Sequence, residues 1–276
     1  MSDARLPPSL PQLDDLKKKN PPPLDSRVEP VKPLVTLQRY QELEQHLRNA
    51  PADGDAYLEL TRIYMDQGRF FDAKRVLDKA MEHLADDPRI VYEWEEMQVA
   101  RSRQLFESAE ELLKKEKSQA NRDNRDRSAI DLANVRIQVC SARMKRDPSQ
   151  YELVLPLSSS LRQLGRHQEA IEALDKAKDI PEIRARVCLQ LGMALMQTEK
   201  PLEALAALRQ AALYRAPPPA EKIRDKALEL AAEISEKLGL IAAARRYVQL
   251  RLDINPAAAD LIAQRKRLEN ATVDVV

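Results

Sequence analysis

Residues 54–80 read GDAYLELTRIYMDQGRFFDAKRVLDKA, and residues 154–177 read VLPLSSSLRQLGRHQEAIEALDKA. In the first stretch Tyr57, Leu60, Thr61, Tyr64, Gly68, Phe70, Ala73, Leu77 and Ala80 arrange large and small side chains around one glycine. The second sets Val154, Leu157, Ser158, Leu161, Gly165, His167, Ala170, Leu174 and Ala177 at the same spacings. Apolar residues three and four apart on each side of a glycine predict two amphipathic helices, because that spacing gathers them on one helical face. The glycine marks a tight turn, since it alone takes φ > 0 without steric cost. The order returns twice more. Residues 188–211 carry Cys188, Leu191, Gly192, Leu195, Pro201, Ala204, Leu208 and Ala211, with Glu199 at the turn. Residues 228–251 carry Leu228, Ala231, Ala232, Ser235, Gly239, Ile241, Ala244, Val248 and Arg251. From Ala177 to Ala211 is 34 residues, a period at which each unit covers the apolar face of the next.

This pattern resembles the tetratricopeptide repeat, whose signature runs W-x2-L-G-x2-Y, then A-x3-F, then A and P. Pro88, Pro148, Pro181, Pro217 and Pro256 punctuate the repeat ends. The resemblance implies an all-α fold, a right-handed superhelical solenoid of stacked antiparallel helix pairs. Two departures carry expectations of their own: Glu199 should make its repeat turn differently, and Arg251, where a small residue is usual, should leave the last repeat's edge open.

The stretch 91–147 recovers the pattern in its second half, where Ala133, Ile137, Cys140 and Pro148 keep the spacing of Ala73, Leu77, Ala80 and Pro88. Ala80 to Cys140 is 60 residues where other repeats take 34, so 26 extra residues lengthen one hairpin. Trp94 and Met97 open its first helix, expected over about 89–118, and the polar tip 119–127, with Arg122, Arg125 and Arg127, reads as a solvated loop or frayed helix end. The expected organisation is a disordered Pro-rich leader at 1–35, then a solenoid over 36–270. Within it lie a cap helix at 36–50 with Thr36 as N-cap, repeats at 54–87, 91–147, 151–180, 185–216 and 225–255, and a capping helix at 257–270; residues 271–276 form a tail. Eight of the 18 prolines fall within residues 1–36, which blocks helix and ladder formation there.

Composition narrows the function. Five glycines in 276 residues leave little for Gly-rich phosphate loops, and a net charge of +1 supplies no field to collect nucleic acid or anionic lipid. No window has the roughly 18 apolar residues of a membrane span, and the N-terminal stretch lacks a signal-peptide core, so a cytoplasmic protein is expected. Cys140 and Cys188 lie in apolar helical patterns and read as reduced core thiols. His46 and His83 sit on charged faces, and His167 fills an inter-helix slot. The acidic pairs Glu95-Glu96 and Glu110-Glu111 read as solvated helix faces. No metalloprotease, P-loop, nucleophile-elbow or paired-Cys motif occurs. The expectation is no enzyme activity, no metal and no cofactor.

In the family it resembles, the first helix of each repeat lines a concave groove that holds a peptide. Here those helices offer Leu155, Ser159 and Arg162; then Arg186, Leu189, Met193 and Met196; then Lys226, Glu229, Glu233 and Glu236. That is an apolar, methionine-rich floor between a basic and an acidic side, and thioethers adapt to varied partners. The Lys and Asn carboxylate clamp of the family's best-known peptide mode is absent, since Ser159, Met193 and Glu233 stand at the inward positions. Pro156, inside the first helix of its repeat, implies a late start near Leu155 or a kink. The reading is a non-catalytic protein–protein interaction scaffold with a protein or peptide partner, and no nucleic acid or membrane insertion. The alternative is a structural assembly protein that forms homo-oligomers through the long 89–147 hairpin.

Overall fold

The computed structural model describes residues 33–215 and 217–271, and among them the chain is helical throughout, with twelve α-helices and no strand. The expected leader and tail lie outside the described residues, apart from the positions that open α1 and close α12. The chain divides into two compact units, residues 1–90 and 91–276.

The first unit holds α1 (Pro33–Asn49), α2 (Gly54–Asp66) and α3 (Phe70–His83). The helix expected to start at Thr36 begins at Pro33, so Thr36 lies inside it and is no cap. Proline suits a first helical position because its missing N–H would have no partner there. Leu43 and Leu47 of α1 are buried with Tyr57, Leu60 and Tyr64 of α2 and Leu77 of α3. The Arg39 guanidinium donates two 2.7 Å bonds to Glu59, fastening α1 to α2. Asp53 caps α2 by accepting from the Ala56 amide at 3.1 Å. The Tyr64 hydroxyl donates to Glu44, and burial together with that carboxylate pushes its pKa up to about 12.

The second unit opens with the elongated hairpin. Its helices α4 (Pro88–Lys115, whose first turn belongs to the first unit) and α5 (Gln119–Arg146) have 28 residues each, about 42 Å at 1.5 Å per residue. The tip at 119–127, expected as a solvated loop or frayed helix end, is the largely exposed first part of α5. Ser118 caps it by accepting from the Asn121 amide at 3.3 Å. Glu95 is also not solvated: its carboxylate and the Arg143 guanidinium are both buried and lie 2.8 Å apart. Arg143 also reaches Glu96 at 2.7 Å and the Tyr92 carbonyl, Arg146 closes on Glu95 at 2.7 Å, and the Tyr92 ring lies 3.8 Å from the Arg143 guanidinium carbon. This cluster ties the root of α4 to α5.

Beyond it run α6 (Val154–Gln163), α7 (His167–Asp175), α8 (Arg184–Gln197), α9 (Pro201–Leu213), α10 (Glu221–Lys237), α11 (Ile241–Ile254) and α12 (Ala259–Ala271). A 3-10 turn at Tyr151–Leu153 precedes α6. Of the late start near Leu155 or kink that Pro156 implies, the chain shows the late start: α6 begins at Val154, and Pro156 lies in its first turn.

The turns that join α2 to α3, α6 to α7, α8 to α9 and α10 to α11 all use the left-handed backbone region. Gly68, Gly165 and Gly239 have φ of 70°, 73° and 71°, and Glu199 has 56°. The 185–216 repeat therefore turns as those with a turn glycine do, against expectation, with Glu199 holding the glycine conformation. Helix approach depends on small residues: a Cβ on Gly192 would lie 2.6 Å from Leu208 Cγ and 3.3 Å from the Ala204 carbonyl oxygen. The last repeat is closed rather than open. Arg251 pairs with Asp225 of α10 at 2.8 Å, and Leu261 and Leu268 of α12 join the buried core.

Curvature follows from the contacts within this unit. The first helices α6, α8 and α10 touch in series, whereas α7, α9 and α11 touch only helices adjacent in the chain. The first helices thus occupy the inner side.

Two stability measurements test these points. Left-handed backbone costs a non-glycine residue roughly 1–2 kcal/mol, and glycine gives back roughly 0.4–1 kcal/mol through unfolded-chain entropy. Glu199→Gly should therefore raise unfolding free energy in urea by about 0.5–1 kcal/mol; a loss would mean the turn is not strained. Removing one partner of a buried ion pair costs roughly 3–5 kcal/mol, while apolar replacement of both is often neutral. Arg143→Met should destabilise by about 3 kcal/mol, and Arg143→Met with Glu95→Leu should recover most of that.

Candidate protein-interaction surface

The inner side of the second unit presents parts of α6, α8 and α10, and the ten residues expected on this surface do not all reach it. Leu155 is 3% exposed and belongs to the core. Leu189 and Met196 are half-buried and lean on that core. Met193 is half-buried too, with its sulfur 3.6 Å from the Arg162 Nη1 that donates to it. The Ser158 hydroxyl meets the Gln190 side-chain amide, tying α6 to α8 under this patch.

Charge is distributed less evenly than the residue types imply. Lys226 and Glu229 pair with each other at 2.7 Å, and Glu233 pairs with Lys237 at 2.7 Å. Glu236 accepts from Gln264 at 2.6 Å and pairs with Arg267, so it joins α10 to α12 and leaves the surface. The acidic side is therefore already neutralised by the chain's own cations. The basic side is not. Arg162 is half-buried with no carboxylate partner among the described residues, and burial pulls its pKa below the usual guanidinium range. Arg186 is exposed and likewise has no carboxylate partner among the described residues. An under-compensated guanidinium beside three apolar side chains attracts an anion, because a half-buried charge gains most from a close counter-charge.

Sequence reasoning missed the pairing of these acids, which follows from i, i+3 and i, i+4 spacing at Lys226–Glu229 and Glu233–Lys237. Elsewhere the side chains offer little chemistry. Burial raises the pKa of both Cys140 and Cys188, so neither is a ready thiolate. His46 hydrogen-bonds Asp53 at 2.7 Å on the surface of the first unit. Among the described residues no three His, Cys, Asp or Glu side chains are grouped to hold a metal ion, and no helix is long and apolar enough to cross a membrane.

Three comparisons bear on kinship. One family model described as tetratricopeptide repeat matches residues 38–91, and a second of the same description matches residues 156–182 and 185–216. No curated protein matches the chain. Among solved structures, a chain of Naa15/Naa10 bound to HypK-THB is similar at 17% identity and a TM-score of 0.44, over 85% of this chain. This chain spans 38% of that one. YrrB, described as a TPR protein with an unusual peptide-binding site, gives 14% identity and a TM-score of 0.47, over 81% of this chain and 97% of its own. PilF of Pseudomonas aeruginosa gives 19% and 0.42, over 80% and 84%. The matched segments fall on α1 to α3, α6 with α7, and α8 with α9, the helix pairs whose spacing first marked the repeat, and these stretches of the chain are tetratricopeptide repeats.

Proposed function

We propose that this protein is a non-catalytic interaction scaffold whose inner face in the second unit binds an extended or helical protein segment. The observation that carries the reading is the patch of Leu189, Met193 and Met196 beside Arg162, a half-buried cation with no carboxylate partner among the described residues. Its fitting partner has an apolar side chain next to an aspartate or glutamate. Apolar anchors supply most of the affinity, and the guanidinia of Arg162 and Arg186 set orientation and encounter rate. Leu155 supports the patch from the core. Lys226, Glu229 and Glu233 form a flank paired within α10 that contributes shape more than charge. No cofactor, metal, nucleic acid or membrane enters this reading, and a cytoplasmic setting accords with the two unpaired thiols.

A second reading, self-association through the hairpin, has one observation in its favour. Leu105, Leu112 and Ile130 are 55%, 48% and 49% exposed on α4 and α5.

The test begins with a partner recovered by affinity capture and measured by titration calorimetry. An anchor residue is worth about 2 kcal/mol or more, so Met193→Glu should weaken binding about 30-fold. Glu233→Lys removes a carboxylate already satisfied by Lys237 and should change affinity less than threefold. Both variants should keep the native circular dichroism. Normal binding by Met193→Glu, together with loss on deleting residues 105–130, would move the function to the hairpin.

A further inference from the structure

The elongated hairpin carries a charge that its own register leaves uncompensated. At its root Glu96 of α4 and Arg143 of α5 lie 2.7 Å apart. In an antiparallel pair, seven residues advance each helix by about two turns and return to nearly the same face. Seven positions toward the tip, Glu96 is succeeded by Arg103 and Arg143 by Arg136. Two cations therefore stand where the root has a cation and a carboxylate. The charge of Arg103 is felt at Arg136: burial first, and then that neighbouring cation, pulls the Arg136 pKa below the usual guanidinium range. Neither guanidinium has a carboxylate partner among the described residues.

Arg136 does not sit on the solvent face of its helix. Around the helix axis the buried residues of α5, from Ala129 to Arg143, all lie within about 60° of it. It thus occupies the centre of the packed face, where it is half-buried. The other second helices put apolar side chains at this position. Three residues after Ala73, Ala170, Ala204 and Ala244 come Val76, Ala173, Ala207 and Tyr247, whereas Ala133 is followed by Arg136. The root of the hairpin shows what such a charge accepts. There the single carboxylate of Glu95 takes hydrogen bonds from two guanidinia, Arg143 at 2.8 Å and Arg146 at 2.7 Å. We propose that Arg103 and Arg136 form a second two-guanidinium clamp, open to a glutamate or aspartate side chain from an acidic segment of a protein partner. Arg103, which is exposed, meets the carboxylate first, and Arg136 holds it at the half-buried position where a counter-charge gains most. The clamp belongs to the hairpin and does not depend on the face formed by Leu189, Met193 and Met196.

The probe is N-acetylglutamate N-methylamide, which carries one carboxylate, titrated into the full chain and followed by NMR of the arginine Nε–Hε groups. Two charge-assisted hydrogen bonds give a dissociation constant on the order of 5 mM, so the Arg103 and Arg136 signals should shift saturably. Arg103→Glu supplies Arg136 with the carboxylate that Glu96 gives Arg143. It should abolish saturable binding and raise the urea midpoint of unfolding. Arg101→Glu makes the same charge change at an exposed position two residues away, and should leave binding intact. Arg136→Met, which returns the position to the apolar pattern of the other repeats, should keep the native circular dichroism and also abolish binding; if it misfolds, the exposed Arg103→Glu decides alone. Met193→Glu should change none of these values, so failure here and failure of the inner-face reading are separate results. No saturable shift, or equal loss in Arg101→Glu, would reduce the site to diffuse surface charge and overturn the proposal. Inorganic phosphate binding about tenfold more tightly than the carboxylate probe would make it a phosphate site. A mass that rises with concentration by light scattering, and does not in Arg103→Glu, would assign the occupant to a second copy. Either result overturns the proposal as well.

Discussion

The close approach of two helices over small side chains is the constraint on which the rest of the structure depends. Ala73 and Ala80, Ala170, Ala204 and Ala211, and Ala244 recur at one phase of the second helices, Ala177 follows just beyond the end of α7, and all are 5% exposed or less. Against them run the first helices, and at Gly192 even a methyl group would collide with Leu208. Such proximity lets the larger residues, among them Leu77, Leu174, Leu208 and Val248, bury fully within one repeat. Each pair therefore presents a fixed outer and inner side. The left-handed turn residue is the corollary, because two helices this close leave no room for a longer connection.

That arrangement determines which side chains are left for a partner. On α8, Cys188, Leu191, Gly192 and Leu195 are committed to the core, and what remains toward the inner side is Leu189, Met193 and Met196. The first helices approach one another closely enough for Ser158 to reach Gln190 and for Arg162 to reach Met193. Arg162 is thereby removed from water without acquiring a carboxylate. The character of the proposed binding face thus comes from packing: the same contacts that stack the repeats leave Arg162 half-buried beside Met193.

Legibility in the sequence followed the range of the interactions. The helix pairs and their glycine turns could be read because they repeat at a fixed spacing and rest on local preferences. The backbone at Glu199 could not, since nothing in its side chain announces φ > 0; only the neighbouring repeats imply it. Glu95 and Arg143 are 48 residues apart, and their meeting depends on the register of two 28-residue helices that no short-range pattern sets. Arg251 pairs with Asp225 across a helix interface, so a residue that looked out of place closes the stack. The start of α5 was open to a better reading: Ser118 precedes a run free of helix breakers, which is an N-cap signal. For the inner face, the Lys226–Glu229 and Glu233–Lys237 pairs were open to reading from their spacing, whereas the burial of Leu155 and the pairing of Glu236 with Arg267 depend on neighbouring helices.

The most direct test of close approach is a double-mutant cycle at Gly192 and Leu208, read by urea unfolding. Overpacking a tight contact costs roughly 1–3 kcal/mol, so Gly192→Ala alone should destabilise by about 2 kcal/mol. In a Leu208→Ala background the added methyl has space, and Gly192→Ala should then cost less than about 0.5 kcal/mol, giving a coupling well beyond the error of additive sites. Equal cost in both backgrounds would mean that Gly192 and Leu208 are not in contact, and that the paired helices are held apart by something other than their small residues.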